Sequence, residues 1–281
     1  MTNLKQLVDE RDLAHTTEDE CRWLEGVFKR FNGYPSLEQL WQMVDEPWEE
    51  LGCDPNVMDE RIGAYYSHPV WLLNGLFIEQ HDQSLENRRR LVDWVVSLKP
   101  ERVADYGGGF GGLARMIGKA CLSAAVEVIE PHPHPVAIAR AEATANVRYR
   151  PELEGQYDIL IATDVFEHVP DPLGLAVETA GSLRIGGTYL IANCFQPVIQ
   201  CHLPQTFHFR HSWDLALRAV GLEPGESVCY GKAYTRVGEL AVTAGRDIEK
   251  RSRKAWVLTQ YLPDRIGRFA TKVLNINVRQ A

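Results

Sequence analysis

The stretch Arg102–Leu113, Arg-Val-Ala-Asp-Tyr-Gly-Gly-Gly-Phe-Gly-Gly-Leu, constrains this chain more than any other. A short apolar run, Val103-Ala104, ends at an acid, Asp105, and five glycines fall within the six positions Gly107 to Gly112. Leu113, Met116 and Ile117 then continue at helical spacing. The segment predicts a strand, a tight turn and a helix. Glycine allows the backbone angles such a turn needs and lets a ligand come close to the main chain. The unpaired amides at the helix start favour electron-rich groups. Gly107, Gly109 and Gly112 also fit the dinucleotide fingerprint. Asp105 weighs against that reading, because a carboxylate beside the turn repels a pyrophosphate and suits a cationic ligand.

Elements on either side predict an alternating α/β order. Residues 1 to about 95 carry helical spacing and no strand pattern. One helix starts at Thr17-Glu18-Asp19-Glu20 and continues through Trp23, Leu24, Val27 and Phe28. Another opens at Pro35-Ser36, with Pro47 and Gly52 to Pro55 expected to interrupt it. Residues 84 to 98 form a connecting helix whose Arg88-Arg89-Arg90 cluster reads as a solvated face. Ala125–Ile129 is a second strand ending at Glu130, 21 residues after Gly109, where an acid can accept from both hydroxyls of a ribose. Asn146–Arg150 is a third. Pro131-His132-Pro133-His134-Pro135 is a stiff loop, and its two histidines lack the further partners a metal site needs. No metal is expected.

Tyr157–Ala162 is a buried-type strand, and Thr163-Asp164-Val165-Phe166-Glu167-His168-Val169-Pro170 follows it. Together with the glycine stretch, this segment resembles class I S-adenosylmethionine-dependent methyltransferases, in particular the small-molecule, ubiquinone-biosynthesis-like type. The two motifs span about 70 residues of the central region. The resemblance implies a doubly wound, seven-stranded, mainly parallel Rossmann-like sheet with an N-terminal helical cap. It implies S-adenosyl-L-methionine as cofactor, held by Asp105, Tyr106, Gly107, Gly108, Gly109, Glu130, Asp164, Val165 and Phe166. Tyr66, in the aromatic run Tyr65-Tyr66-Ser67-His68-Pro69-Val70-Trp71, is expected to reach the cofactor from the cap. An acid and small residue that many members place after the third strand are replaced here by Pro151-Glu152-Leu153-Glu154.

A helix over Leu175–Leu183 is predicted to end at Arg184-Ile185-Gly186-Gly187, with Thr188–Asn193 as strand five. A histidine-bearing connection runs from Cys194 to Arg210, and a helix begins at Ser212. Ser227–Tyr230 and Glu239–Thr243 read as two closing strands, the antiparallel pair of this family's sheet. If the acceptor is a hydroxyl, a base is needed. His168 comes first, then His202, His208 and His211 on the connection, with Glu167 beside His168. A transfer or cyclisation that leaves the methyl in place, and a non-catalytic binding subunit, stay open on the same residues.

The chain has 281 residues and a net charge of −8, which argues against a nucleic-acid-coating protein. A small-molecule acceptor, such as a natural product, lipid precursor or sugar, is expected instead. No apolar run approaches the ~18 residues of a membrane span, and six scattered cysteines without a Cys-x-x-Cys pair fit a reducing cytoplasm. The N-terminus is polar and acidic, unlike a signal peptide. The expected division is 1–83 cap, 84–245 core and 246–281 tail. That tail has nine basic and three acidic residues, leaving −14 for residues 1–245. It suits a helix packed on the domain, a homodimer interface or peripheral contact with an anionic membrane surface.

Overall fold

A computed structural model describes residues 4–262. Within them the chain forms two compact units: one runs to Leu153 and includes Ile199–Cys201, and the other comprises Glu154–Val198 and continues from His202.

The first unit opens with helices α1 (Leu4–Leu7), α2 (Glu10–Leu13), α3 (Glu18–Phe31), α4 (Leu37–Glu50), α5 (Glu60–Tyr66), α6 (Pro69–Ile78) and α7 (Asp82–Ser97). Thr17 starts α3 with a capping box: its hydroxyl accepts from the Glu20 amide at 3.3 Å while Glu20 Oε2 accepts from the Thr17 amide at 2.8 Å. A cap of this kind is worth about 1 kcal/mol. Ser36 and Gln39 repeat the device at α4. Pro47 does not interrupt α4, which continues to Glu50. The ring gives up one hydrogen bond but is buried in the apolar face with Met43, Val44 and Trp48.

Strand β1 (Arg102–Tyr106), helix α8 (Gly112–Ala120), β2 (Ala125–Ile129), α9 (Pro135–Glu142) and β3 (Val147–Arg150) follow. β1 pairs with β2 and β2 with β3, both parallel. The helical segment is tied to α9 by charge. Arg140 donates to both carboxylate oxygens of Asp12, at 2.9 and 2.6 Å, and also reaches Glu79. Arg88 is not on a solvated face. It is half-buried and donates to the Ile78 carbonyl at 2.8 Å, while Arg89 and Arg90 are exposed.

The second unit holds β4 (Tyr157–Thr163), a 3-10 turn (Phe166–His168), α10 (Pro172–Ala180), β5 (Leu183–Ala192), a second 3-10 segment (Pro204–His211), α11 (Trp213–Ala219), β6 (Leu222–Val228), β7 (Gly231–Arg236) and α12 (Val242–Thr259). β4 and β5 are parallel, whereas β7 runs antiparallel to both β5 and β6. The strand order β3-β2-β1-β4-β5-β7-β6 makes a seven-stranded, mostly parallel sheet flanked by helices, as expected from the sequence.

Two boundaries differ from the sequence reading. Arg184–Gly187 is not a turn after a helix. α10 stops at Ala180, and Leu183–Ala192 is one strand, with Gly186 at φ +82° where the register against β4 shifts. An irregular residue in a ladder is where glycine is tolerated. The closing hairpin is β6 and β7, turning at Cys229-Tyr230, not Ser227–Tyr230 with Glu239–Thr243. Glu239–Ala241 is irregular chain held by the Ala241 amide on the Val220 carbonyl, and Val242 already belongs to α12. The tail's apolar positions Ile266, Phe269, Val273 and Leu274 lie outside the described residues. Among the described residues no helix is long and apolar enough to cross a membrane.

Candidate active site

In the first unit, the predicted cofactor residues gather at the carboxyl end of β1. Gly107, Gly109 and Gly111 all have positive φ. Gly109, at φ +49°, is the informative one: a Cβ there would meet no protein atom within 4 Å. Its side is open, and left-handed geometry alone already disfavours any other residue. Gly108 is glycine for the opposite reason. A Cβ there would lie 2.7 Å from Asp105 Oδ2 and 2.9 Å from Val128.

Asp105 therefore lies beneath the loop, 1% exposed. Neither of its carboxylate oxygens has a partner in normal hydrogen-bond geometry. Burial pushes its carboxyl up to about 7, and the charge of Arg88 and the nearby Ala114 amide only temper the rise. Glu130, at the end of β2, is half-buried and accepts from the His132 amide at 3.4 Å. Burial raises its pKa while the His132 and Gly109 amides oppose the rise. The strand-end acid thus stands beside the open glycine.

Tyr149, on β3, was not anticipated. Its hydroxyl donates to the Gly109 carbonyl at 2.8 Å and fixes the loop from the far side of β2. Only the strand register, which sets Tyr149 beside Val128, brings it there. The stiff His132–His134 loop has a structural role: His134 Nδ1 accepts from the Val136 amide at the start of α9, and its Nε2 is 3.0 Å from Glu20. Tyr66 is partly exposed, beside the buried Tyr65 and near Trp71, with ring centroids 5.0 and 5.1 Å away. Trp48 completes this aromatic cluster against Tyr65.

In the second unit, Asp164, Val165 and Phe166 follow β4. Asp164 has positive φ (54°) and an exposed face, and Tyr230 donates to its Oδ2 at 3.4 Å. Phe166 is fully buried against Tyr189 and Trp213. Glu167 is also fully buried. Its Oε1 accepts from the Cys194 amide at 2.7 Å, and its main-chain oxygen accepts from the Leu203 amide at 2.8 Å. Burial, and then the nearby charge of Asp164, raise the Glu167 pKa. Burial likewise raises that of Asp164.

These two clasps bring the connection after β5 onto the 3-10 turn. His202 stands with its ring centroid 4.9 Å from that of His168, edge to face. His202 Nδ1 lies 2.7 Å from the Gln196 carbonyl. The oxygen can only accept, so Nδ1 carries the proton and Nε2 keeps its lone pair. Burial lowers the His202 pKa, which favours that neutral form. His208 is not brought to this cluster. It is buried beneath α12, 3.3 Å from the Ser252 hydroxyl, and burial pulls its pKa down to about 4.

Residues 77–216 match the model of a family described as a methyltransferase domain. No curated protein matches the chain. Among solved structures, the chain is similar to an O-methyltransferase family protein from Burkholderia thailandensis, at 16% identity over 71% of this chain and 70% of that one, with a TM-score of 0.49. It is also similar to the Burkholderia thailandensis 1,6-didemethyltoxoflavin-N1-methyltransferase, whose structure holds 1,6-didemethyltoxoflavin and S-adenosylhomocysteine. There the identity is 17% over 54% of this chain and 79% of that one, with a TM-score of 0.40. A putative sarcosine dimethylglycine methyltransferase from Galdieria sulphuraria is 21% identical over 39% of this chain and 46% of that one, with a TM-score of 0.33.

Proposed function

We infer that this chain, whose residues 77–216 belong to the class I S-adenosylmethionine-dependent methyltransferases, methylates a small-molecule acceptor. When bound, S-adenosylmethionine supplies a methyl group on a sulfonium that leaves as a neutral thioether. The observation that carries the cofactor assignment is the open face of Gly109, where a Cβ meets nothing, beside a partnerless buried carboxylate and the strand-end acid Glu130. These residues fit the group. Glu130 is the acceptor for a pair of ribose hydroxyls. Gly107, Gly108 and Gly109 leave room for the methionine portion against the main chain. Asp105 acts from beneath the loop: its carboxyl is held up at about 7 in the free protein, and a ligand with ammonium and sulfonium charges favours its ionised form. Tyr106, Asp164, Val165 and Phe166 complete the proposed cofactor set, with Tyr66 contributed by the helical segment. We assign residues 1–83 the role of cap, 84–245 that of catalytic core, and 246–281 that of an accessory tail.

For a hydroxyl acceptor, the proton leaves at the Glu167–His168–His202 cluster. His202 is supported there by its tautomer, since a neutral imidazole with a free Nε2 is competent to take a proton. His208 has the weaker claim because it is buried beneath α12. The small-molecule class is supported by the chain's net charge of −8, which disfavours a polyanionic substrate. The deciding experiment offers methyl-labelled S-adenosylmethionine to the protein together with a cell extract. Label in the ultrafiltrate, with S-adenosylhomocysteine as co-product, is expected. Label in the nucleic-acid or protein fraction would overturn the acceptor class, and methylthioadenosine as co-product would overturn methyl transfer itself.

A further inference from the structure

Glu167, His168 and His202 each offer one ligand atom, and the three atoms lie within 4.8 Å of one another. We propose that this cluster is a divalent transition-metal site of the two-histidine, one-carboxylate kind, in contrast to the sequence-level expectation that no metal is bound. The ligand class is a first-row divalent cation such as Zn²⁺, Mn²⁺ or Co²⁺, which accept imidazole and carboxylate together.

Three features beyond proximity support the site. Glu167 is 0% exposed, and its Oε2 has no hydrogen-bond partner while Oε1 is held by the Cys194 amide. A buried carboxylate oxygen without a donor is expensive to keep ionised, and a cation supplies the missing partner. His202 is oriented as a metal-bound histidine usually is: its Nδ1–H is given to a backbone carbonyl, that of Gln196, which frees Nε2 for coordination. The Leu203 amide on the Glu167 carbonyl ties the two ligand-bearing segments together, so the cluster is built from the main chain outward.

Metal–ligand bonds of about 2.0–2.2 Å set neighbouring donors roughly 3–3.5 Å apart. The donors here therefore need to close by at most about 1–2 Å. Three protein ligands leave coordination positions for solvent or acceptor, the arrangement found in catalytic rather than structural sites. If methyl transfer to a hydroxyl is correct, a cation here would lower the pKa of that hydroxyl, whose proton passes to water. With the cation bound the histidines are its ligands, so the base role given to His202 above belongs to the metal-free cluster, and either role makes both histidines necessary for turnover. The cation's part in catalysis rests on the methyl-transfer reading; the metal site does not.

The test uses untagged full-length protein stripped with a chelator and titrated with Co²⁺, read by visible absorption and calorimetry. Wild type and His15→Ala, at an exposed histidine that is not one of the three ligands, should each bind one Co²⁺. Glu167→Gln and His168→Ala should bind at least about 10–100-fold more weakly, since removing a direct ligand costs no less than removing its outer support. S-adenosylhomocysteine is titrated into every variant in parallel. Retained binding certifies folding, and loss of it in wild type would count against the cofactor assignment without touching the metal site. If Glu167→Gln fails to fold, His168→Ala decides. Absence of stoichiometric Co²⁺ binding in wild type, or undiminished binding in folded His168→Ala, overturns the proposal.

Discussion

Replacing Asp105 with asparagine tests how the glycine loop is supported. Asp105 is 1% exposed, neither carboxylate oxygen has a hydrogen-bond partner, and burial sets its pKa at about 7. In the unfolded chain an aspartate ionises near 3.9. Between those values the native state keeps a proton that the unfolded state has lost. The stability present below the unfolded pKa is then lost as pH rises through the folded one, at up to about 1.4 kcal/mol per pH unit. Across about three units the total is on the order of 4 kcal/mol. Most of it is gone before neutrality, and between about pH 6 and about pH 8.5 roughly 1–2 kcal/mol remains to be lost.

Asp105→Asn keeps the shape and cannot titrate. Urea unfolding followed by circular dichroism, at both pH values, gives the difference between wild type and variant. Asp164 and Glu167, whose pKa values are also raised, are present in both chains and cancel from that difference. The variant should gain on wild type by roughly 1–2 kcal/mol from the lower to the higher pH. Parallel pH profiles would refute the reasoning, because Asp105 would then be solvated or paired in the folded protein.

Gly109→Val should leave the chain folded, at a cost of about 1–2 kcal/mol for the left-handed backbone, yet abolish S-adenosylhomocysteine binding by calorimetry; unaltered affinity would place the cofactor elsewhere. Glu130→Ala should lose about 1.5–3 kcal/mol of cofactor affinity if its hydrogen bonds are charge-assisted, again by calorimetry, and no loss would remove it from the ribose site. Hydrogen exchange with and without S-adenosylhomocysteine should protect residues 60–80, around the Tyr65, Tyr66 and Trp71 cluster, and unchanged exchange would leave α5 and α6 structural only. His168→Ala and His202→Ala should each lower turnover by about 10²–10⁴ with little change in cofactor affinity, and full turnover in both would point to an acceptor that is already nucleophilic.

Much of the sheet is legible in the sequence because parallel strands buried on both faces read as continuous apolar runs. Ala125–Ile129 and Tyr157–Ala162 come close to such runs, each broken by one acid, Glu127 and Asp158, and they appear as β2 and nearly all of β4. The failures fall where a strand breaks its ladder. β6 carries Pro224 and Gly225, and its pairing with β7 shifts between Pro224 and Ser227. An edge strand tolerates proline and a bulge, so residues that signal a loop are compatible with pairing there. The opposite difference, at Glu239–Thr243, has its source in a short apolar run, Leu240-Ala241-Val242, in a segment that packs beside Gly221, where a Cβ would lie 2.9 Å from the Glu239 carbonyl oxygen.

The site divides along the same line, between what local spacing encodes and what only tertiary pairing supplies. Glu167 and His168 are adjacent in sequence, and the family-like motif they share after a buried strand singles them out. That His202 and not His208 joins them depends on two main-chain amides across an irregular connection, Cys194 donating to the Glu167 carboxylate and Leu203 to its carbonyl. No periodicity marks such a connection, so the three histidines along it, His202, His208 and His211, look equivalent until those bonds choose one. Tyr149 and Arg88 escaped for a related reason. A tyrosine in a strand and an arginine within a basic cluster are unremarkable by composition. They become specific when register sets one against the Gly109 carbonyl and helix packing turns the other inward toward Ile78 and the charge of Asp105. The loop's chemistry is therefore encoded twice: once in the glycines that make it open, and once in distant residues whose only common feature is that they fix it in place.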